Sequence, residues 1–361
     1  MAHLVVPALL VCVAAAGCER ATDRVTLGAV GPWHEEYGTA IKLGMDLAVE
    51  EVNRAGGVRG APLTIVFRDD SARAERAVAI ASEFVNDARV AAAIGPVNSG
   101  AMLAAARVYD GRLVALAPTA ASPDLSGISP WVFRLISNDS VHGIALGRYL
   151  GTMGKKAAIL YDNDSFGRGG AQAFRRNFPG VIVSEDPIVS GDPDLGAFID
   201  FYKRSGVEIL FVAGVEPSGR AALLAARARG FTGAIVGTDS WMTLVRDTAL
   251  ANGVYIAARF TTLESRAAVQ RFVASFEARY GRPPDGFAAM GYDATMLLAH
   301  VIELAGPDRQ KIRDILASLD STAPWRGVTG PLSFTRSGDP VTRGFFMLRV
   351  HDGTLTLLPS S

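Results

Sequence analysis

Short apolar runs alternate along this chain with segments in which apolar residues recur every three or four positions. VTLGAVG (25–31) is apolar apart from Thr26, as expected of a buried strand. Ile41, Met45, Ala48 and Val52 then fall at i, i+4, i+7 and i+11, one stripe of a helix that Gly56 and Gly57 end. LTIVF (63–67) predicts the second strand, Ala74, Val78, Ala81 and Val85 repeat the helical stripe, and VAAAIG (90–95) and LVALAP (113–118) predict two more strands. The pattern then restarts with strands at KAAILYD (156–162), VIVSEDPI (181–188), EILFVAG (208–214) and AIVGTDS (234–240), with helices near 167–177, 194–204 and 217–229.

Strands separated by helices pair in parallel through right-handed crossovers, so the chain reads as α/β with two doubly wound halves. The remainder differs in kind: a strand at VYIAARF (254–260), helices around 265–280, 287–305 and 308–319, and a hairpin turning at Asp352 and Gly353. A length of 361 residues accommodates two such halves. Strands in each half end in loops rich in Gly, Ser, Thr and Asp: GPVNSG (95–100), APTAASPDLS (117–126), YDNDSFGRGG (161–170) and GTDSW (237–241). Ligands of open α/β sheets sit at the carboxyl ends of strands, where helix N-termini present unpaired N–H groups. The facing loops of the two halves are therefore the expected site.

Charge and motif content narrow the function. Lys plus Arg (36) balance Asp plus Glu (36), which argues against a nucleic-acid partner. Neither G-x-S-x-G nor H-E-x-x-H occurs, and His34, His142, His300 and His351 lack metal-ligand spacing, so no hydrolase or metal site is expected. A dinucleotide site is not expected either: Pro32 follows the first strand, and Gln172 stands where the run Gly167, Arg168, Gly169, Gly170 would need its third glycine. The chain reads as a binder without cofactor, not an enzyme.

Both cysteines lie at the start. Residues 4–16 (LVVPALLVCVAAA) are uncharged and too short to span a hydrocarbon core that needs ~20 residues, so they read as a signal-peptide apolar region. Ala15, Ala16 and Gly17 before Cys18 resemble a bacterial lipobox, which makes 1–17 a lipoprotein signal, Cys18 the lipid attachment site and 18–24 a tether; an ordinary signal peptide is the other reading. The expected protein is exported and held at a membrane by its lipid alone.

The string from VTLGAVGP through AIKLGMDLAVEEVNRAGGVRGAPLTIVFRDD, followed by GPVNSG, APTAASPDLS and YDNDSFGRG, resembles type I periplasmic binding proteins, in particular the leucine/isoleucine/valine-binding receptors of ABC importers. The resemblance runs over about 25–357. It implies two Rossmann-like lobes joined by three hinge crossovers, lobe one from 25–138 plus 260–331 and lobe two from 139–259 plus 332–361. Crossovers would fall near 137–138, 257–261 and 332–335. A monomer would capture an amino acid or similar small polar solute by closure and present it to ABC permease subunits. Sensing on behalf of a receptor or regulator, or binding of amides, urea-like compounds or aromatic acids, are the alternatives.

Ser99 opens the helix after VAAAIG, so its hydroxyl and the neighbouring N–H groups suit a carboxylate, although capping alone also explains a serine there. The resemblance gives Ser99 the ligand carboxylate and maps a second clamp onto Thr119, Ala120 and Ala121, where Ala121 replaces a hydroxyl-bearing Thr. It maps the acidic partner of an α-ammonium onto Asp239, for which helix capping is the plain alternative, and a pocket-edge polar residue onto Asp139. Tyr37 and Phe166, and also Trp241, are the expected apolar walls. Val215 and Glu216 stand where that branch carries two Tyr, which changes the pocket's volume and stacking. Trp33 and His34 either line the mouth or are merely exposed.

Overall fold

The computed structural model of the protein describes residues 24–192, 194–341 and 345–359. Its first sheet contains β1 (Val25–Gly31), β2 (Leu63–Asp69), β3 (Val90–Ile94), β4 (Ala115–Ala117) and β5 (Val132–Arg134). They pair in parallel in the order β2-β1-β3-β4-β5. Helices α1 (Glu36–Arg54), α2 (Ala74–Asn86) and α3 (Ser99–Tyr109) make the crossovers. The three-residue β5 has no counterpart in the sequence reading, because a run so short carries no periodicity.

α4 (Asp139–Leu150) leads into β6 (Lys156–Asp162), after which α5 (Ser165–Asn177), β7 (Val181–Ile188), α6 (Gly196–Arg204), β8 (Ile209–Ala213), α7 (Glu216–Ala228) and β9 (Ala234–Thr238) follow. A 3-10 helix (Asp239–Arg246) and the short α8 (Thr248–Ala251) precede β10 (Tyr255–Ala258). α4 was also unpredicted: its glycines 143 and 147 pack against the backbone of Ala173 and Asn177, and they blur any apolar stripe. Three helices come next, α9 (Ala267–Tyr280), α10 (Gly286–Ala305) and α11 (Arg309–Ser318), with a two-stranded ribbon of β11 (Trp325–Gly327) and β12 (Gly330–Leu332). The hairpin of β13 (Phe346–His351) and β14 (Thr354–Leu357) closes the chain as expected and completes the order β14-β13-β10-β9-β8-β6-β7, with β13 antiparallel to β10.

The core explains why the late helices go back to the first sheet. Met290, Ala294, Leu297, Leu298 and Ile302 of α10 share one buried cluster with Leu27, Ile41, Ile94, Leu116 and Phe133. α1 and α10 approach through glycines: a Cβ on Gly44 would lie 1.9 Å from the Ala288 carbonyl oxygen, and one on Gly291 would lie 2.1 Å from that of Ile41. The second core gathers Leu160, Leu210, Val212, Leu223 and Ile256 with Leu348 and Val350 from β13. Past β12 the chain stays on the first sheet, where Phe334 packs on Phe133 with ring centroids 5.0 Å apart. The buried Arg134 pairs there with Asp339 at 2.5 Å. Contacts with the first sheet thus extend as far as Asp339, and Phe346 begins a strand of the second sheet.

Both sheets reverse direction at one point. From β1 the chain steps to β2 and returns past β1 to β3, and from β6 it steps to β7 and returns to β8. A crevice opens outside the carboxyl ends at each switch. Among the described residues no helix is long and apolar enough to cross a membrane, and no cluster of His, Cys, Asp and Glu suits a metal ion.

Candidate functional site

A cavity of about 330 Å³ lies at these two switch points. Tyr37 reaches it from the turn after β1, Asn98, Ser99 and Gly100 from the turn after β3, Asp164, Ser165 and Phe166 from the turn after β6, and Val215 from the turn after β8. Thr119, Ile136, Asp239, Ser240, Arg259, Phe287 and Met290 complete most of the wall.

The end nearest α3 is built around one hydroxyl. Ser99 Oγ accepts the N–H groups of Ala121 (3.1 Å) and Ser122 (3.2 Å). Its own proton remains to be donated, and the helix N-terminus behind it favours an anion. Asn98, not Ser99, occupies the N-cap position, and its side chain does not cap; it donates to the Tyr37 hydroxyl at 3.0 Å. Capping therefore does not account for Ser99. Burial pushes the Tyr37 hydroxyl up to about 12, against a smaller opposing effect from Asn98, so the phenol stays protonated. Thr119 Oγ1 donates to the Val97 carbonyl at 3.1 Å. The side chains of Ala120 and Ala121 point into the cores, with 1% and 0% exposure, so these two residues offer the cavity no side-chain group.

Opposite α3, the N-terminus of α5 faces the same space: a Cβ on Gly100 would lie 3.9 Å from Ser165 Oγ. Asp164 caps α5 by accepting the Gly167 N–H at 2.8 Å, which holds Phe166 in place. Val215 is fixed by Asp162, whose carboxylate accepts its N–H at 2.9 Å and the Ser218 hydroxyl at 2.5 Å. Burial pushes the Asp162 carboxyl up, and these two bonds oppose the shift.

Asp239 is the first residue of the 3-10 helix after Thr238, and its carboxylate receives Arg259 Nη1 at 2.9 Å. Both side chains are largely shielded, at 18% and 10% exposure, so the cavity wall carries a desolvated ion pair. Trp241 does not line the cavity, contrary to expectation. It is fully buried against Gly219 and Gly237 and donates its indole N–H to the Gly214 carbonyl at 3.1 Å. Trp33 and His34 are likewise not on the wall: Trp33 donates to the Arg68 carbonyl at 2.9 Å, and His34 Nδ1 sits 3.0 Å from Asp69. The side chain of Asp139 and all of Cys18 lie outside the described residues.

The sequence model of the periplasmic binding protein family matches residues 26–354. The chain belongs to this family. Relatives of this periplasmic binding protein include the leucine-, isoleucine-, valine-, threonine- and alanine-binding protein of Pseudomonas aeruginosa, 28% identical over 352 residues that cover 93% of this chain and 92% of that protein. An amino acid binding protein of the same organism is 26% identical, with 87% of each chain covered. Among solved structures, an ABC transporter substrate-binding protein from Desulfitobacterium hafniense in complex with Leu superposes with a TM-score of 0.81 at 31% identity, covering 93% of this chain and all of that one. The resemblance to the leucine/isoleucine/valine branch and the two-sheet fold it implied are both borne out. Members of the family are solute-binding proteins, and membership makes this an exported protein.

In this periplasmic binding protein the structure brings together Tyr37, Ser99, Thr119, Phe166 and Asp239 from five separate loops. Sequence reasoning missed Arg259, Asn98, Phe287 and Met290. A signal for Arg259 existed: it is the lone charge in the apolar run VYIAARF. Asn98 lies in the loop GPVNSG beside Ser99, whereas Phe287 and Met290 look like ordinary helix residues and reach the cavity only because α10 returns to the first sheet.

Proposed function

We propose that this periplasmic binding protein captures an amino acid or similar small polar solute between two lobes and hands it to the membrane subunits of an ABC importer, tethered as a monomer through a lipid on Cys18. Lobe one would comprise 25–138 plus 260–339, eight residues more than the resemblance suggested, and lobe two the rest of the mature chain. The observation that carries this reading is the cavity itself: a hydroxyl at a helix N-terminus faces a second helix N-terminus, with aromatic rings and an ion pair on the same wall. Ser99 would hold the solute's carboxylate, and the turn it organises through Ala120 and Ala121 would turn the Thr119 carbonyl to the amino group. Asp239 would attract an amino group, Asp139 would border the pocket near the hinge, and Tyr37 and Phe166 would pack on the solute's body. Contacts made by both lobes favour the closed population by their differential affinity. Amino-acid-binding relatives that match almost the whole chain support the choice of solute class.

A thermal-shift screen of the exported protein against amino acids, amides and organic acids tests this. A solute at 100 times its dissociation constant adds about 2.7 kcal/mol and a clear rise in Tm. A flat response across all three classes would end the proposal.

A further inference from the structure

The wall that should receive an amino group already holds a cation. Asp239 and Arg259 are 20 residues apart in sequence, meet at 2.9 Å, and are both largely shielded from solvent. A lone carboxylate there would attract an ammonium; a carboxylate beside a guanidinium presents acceptors and donors side by side. The other charged wall residues, Asp164 and Arg168, are exposed and cancel, and Arg168 is engaged by Asn163 at 2.9 Å. Three helices begin at the cavity, at Ser99, Ser165 and Gly286; Asp164 and Asp285 cap the second and third, and the uncapped N-terminus of α3 at Ser99 favours an anion. A branched aliphatic end placed against this pair would strip water from a guanidinium and return no acceptor, which is unfavourable.

Building on the solute-binding reading above, we infer that Arg259 is a specificity-determining residue that reads a second acceptor on the solute. The preferred ligands are acidic amino acids and their amides. The α-carboxylate goes to Ser99, the amino group to Asp239, and the far carboxylate or carboxamide to Arg259, so every charge on the wall meets its complement. Without a solute, Asp239 accepts from Arg259 Nη1 at 2.9 Å.

Isothermal titration calorimetry of the exported, purified protein with glutamate, glutamine, leucine and benzoate tests the assignment. Glutamate or glutamine should bind at least about tenfold more tightly than leucine, and Arg259→Met should weaken them by roughly tenfold to a hundredfold while leaving leucine equal or improved. Because Arg259→Met leaves Asp239 without this partner, the double variant Arg259→Met/Asp239→Asn, with its fold checked by circular dichroism, serves as a second arm and should also lose the glutamate preference. A wild-type preference for leucine or benzoate overturns this inference and leaves the solute-binding reading standing, as does glutamate affinity that survives both substitutions. Absence of heat with all four solutes, together with a flat thermal-shift screen, overturns both.

Discussion

Removing the hydroxyl of Ser99 should cost the protein stability and its ligand at the same time. Ser99 is 3% exposed, Ala121 0% and Ser122 1%, so Ser99→Ala deprives two buried N–H groups of their shared acceptor. Each orphaned buried donor costs about 1–3 kcal/mol, and the loss falls towards the lower end where the cavity lets water approach, which gives roughly 2–4 kcal/mol in total. The same substitution removes a donor aimed at a carboxylate, a bond worth roughly 1.5–3 kcal/mol, or about tenfold to a hundredfold in affinity. Urea denaturation measures the first quantity and calorimetry the second, with Ser99→Thr as the control that keeps the hydroxyl. If Ser99→Ala unfolded within about 0.5 kcal/mol of the wild type, the hydroxyl would not be organising the 119–122 turn. If affinity also stayed unchanged, the carboxylate would not be held there.

Two further outcomes follow from the geometry away from Ser99. Gly291→Ala places a Cβ 2.1 Å from the Ile41 carbonyl oxygen and forces α1 and α10 apart; a loss of about 3 kcal/mol in urea denaturation is expected, and a neutral result would mean that the helices do not cross there. Asp70 is buried, one of its carboxylate oxygens accepts the Ala72 N–H at 3.0 Å, and the other has no protein partner; burial pushes its carboxyl up to about 6. Between pH 4 and 6 the folded state therefore binds more protons than the unfolded chain, so this group makes stability fall as pH rises, by about 3 kcal/mol in all. Asp70→Asn keeps an acceptor for Ala72 and abolishes the titration, so the stability difference between variant and wild type should widen from pH 4 to pH 7; parallel curves in thermal unfolding would refute it.

The fold was legible in the sequence wherever burial imposed a period. β1 and β6 end where the apolar runs end because both faces of a parallel strand are covered, and each interruption marks a loop. β4 and β5 span three residues each, too few for a period to register, and β5 was missed outright. Nothing at 332–335 announces that Phe334 packs on Phe133 or that Asp339 is tied to Arg134. Contacts of that kind join residues about two hundred positions apart.

The site followed a different logic. Ser99 was legible because a hydroxyl at a helix N-terminus already implies a chemistry, and Asp239 because the family resemblance maps the acidic partner of an amino group onto it. What each residue does depends on its neighbours in space. Ser99 has the stem of a cap, yet Asn98 takes the cap position and leaves the serine to organise another turn. Asp239 has the charge for an amino group, yet Arg259, from the far side of β10, shares that charge and alters which solute fits. Trp241 has the ring for a pocket wall, yet two glycines without side chains open a slot beneath it and the core takes it. In a fold whose binding crevice is assembled at two switch points from many separate loops, sequence can nominate the groups that carry the chemistry. Ligand choice is then set by which nominated groups neutralise one another, and that is a property of the assembled wall.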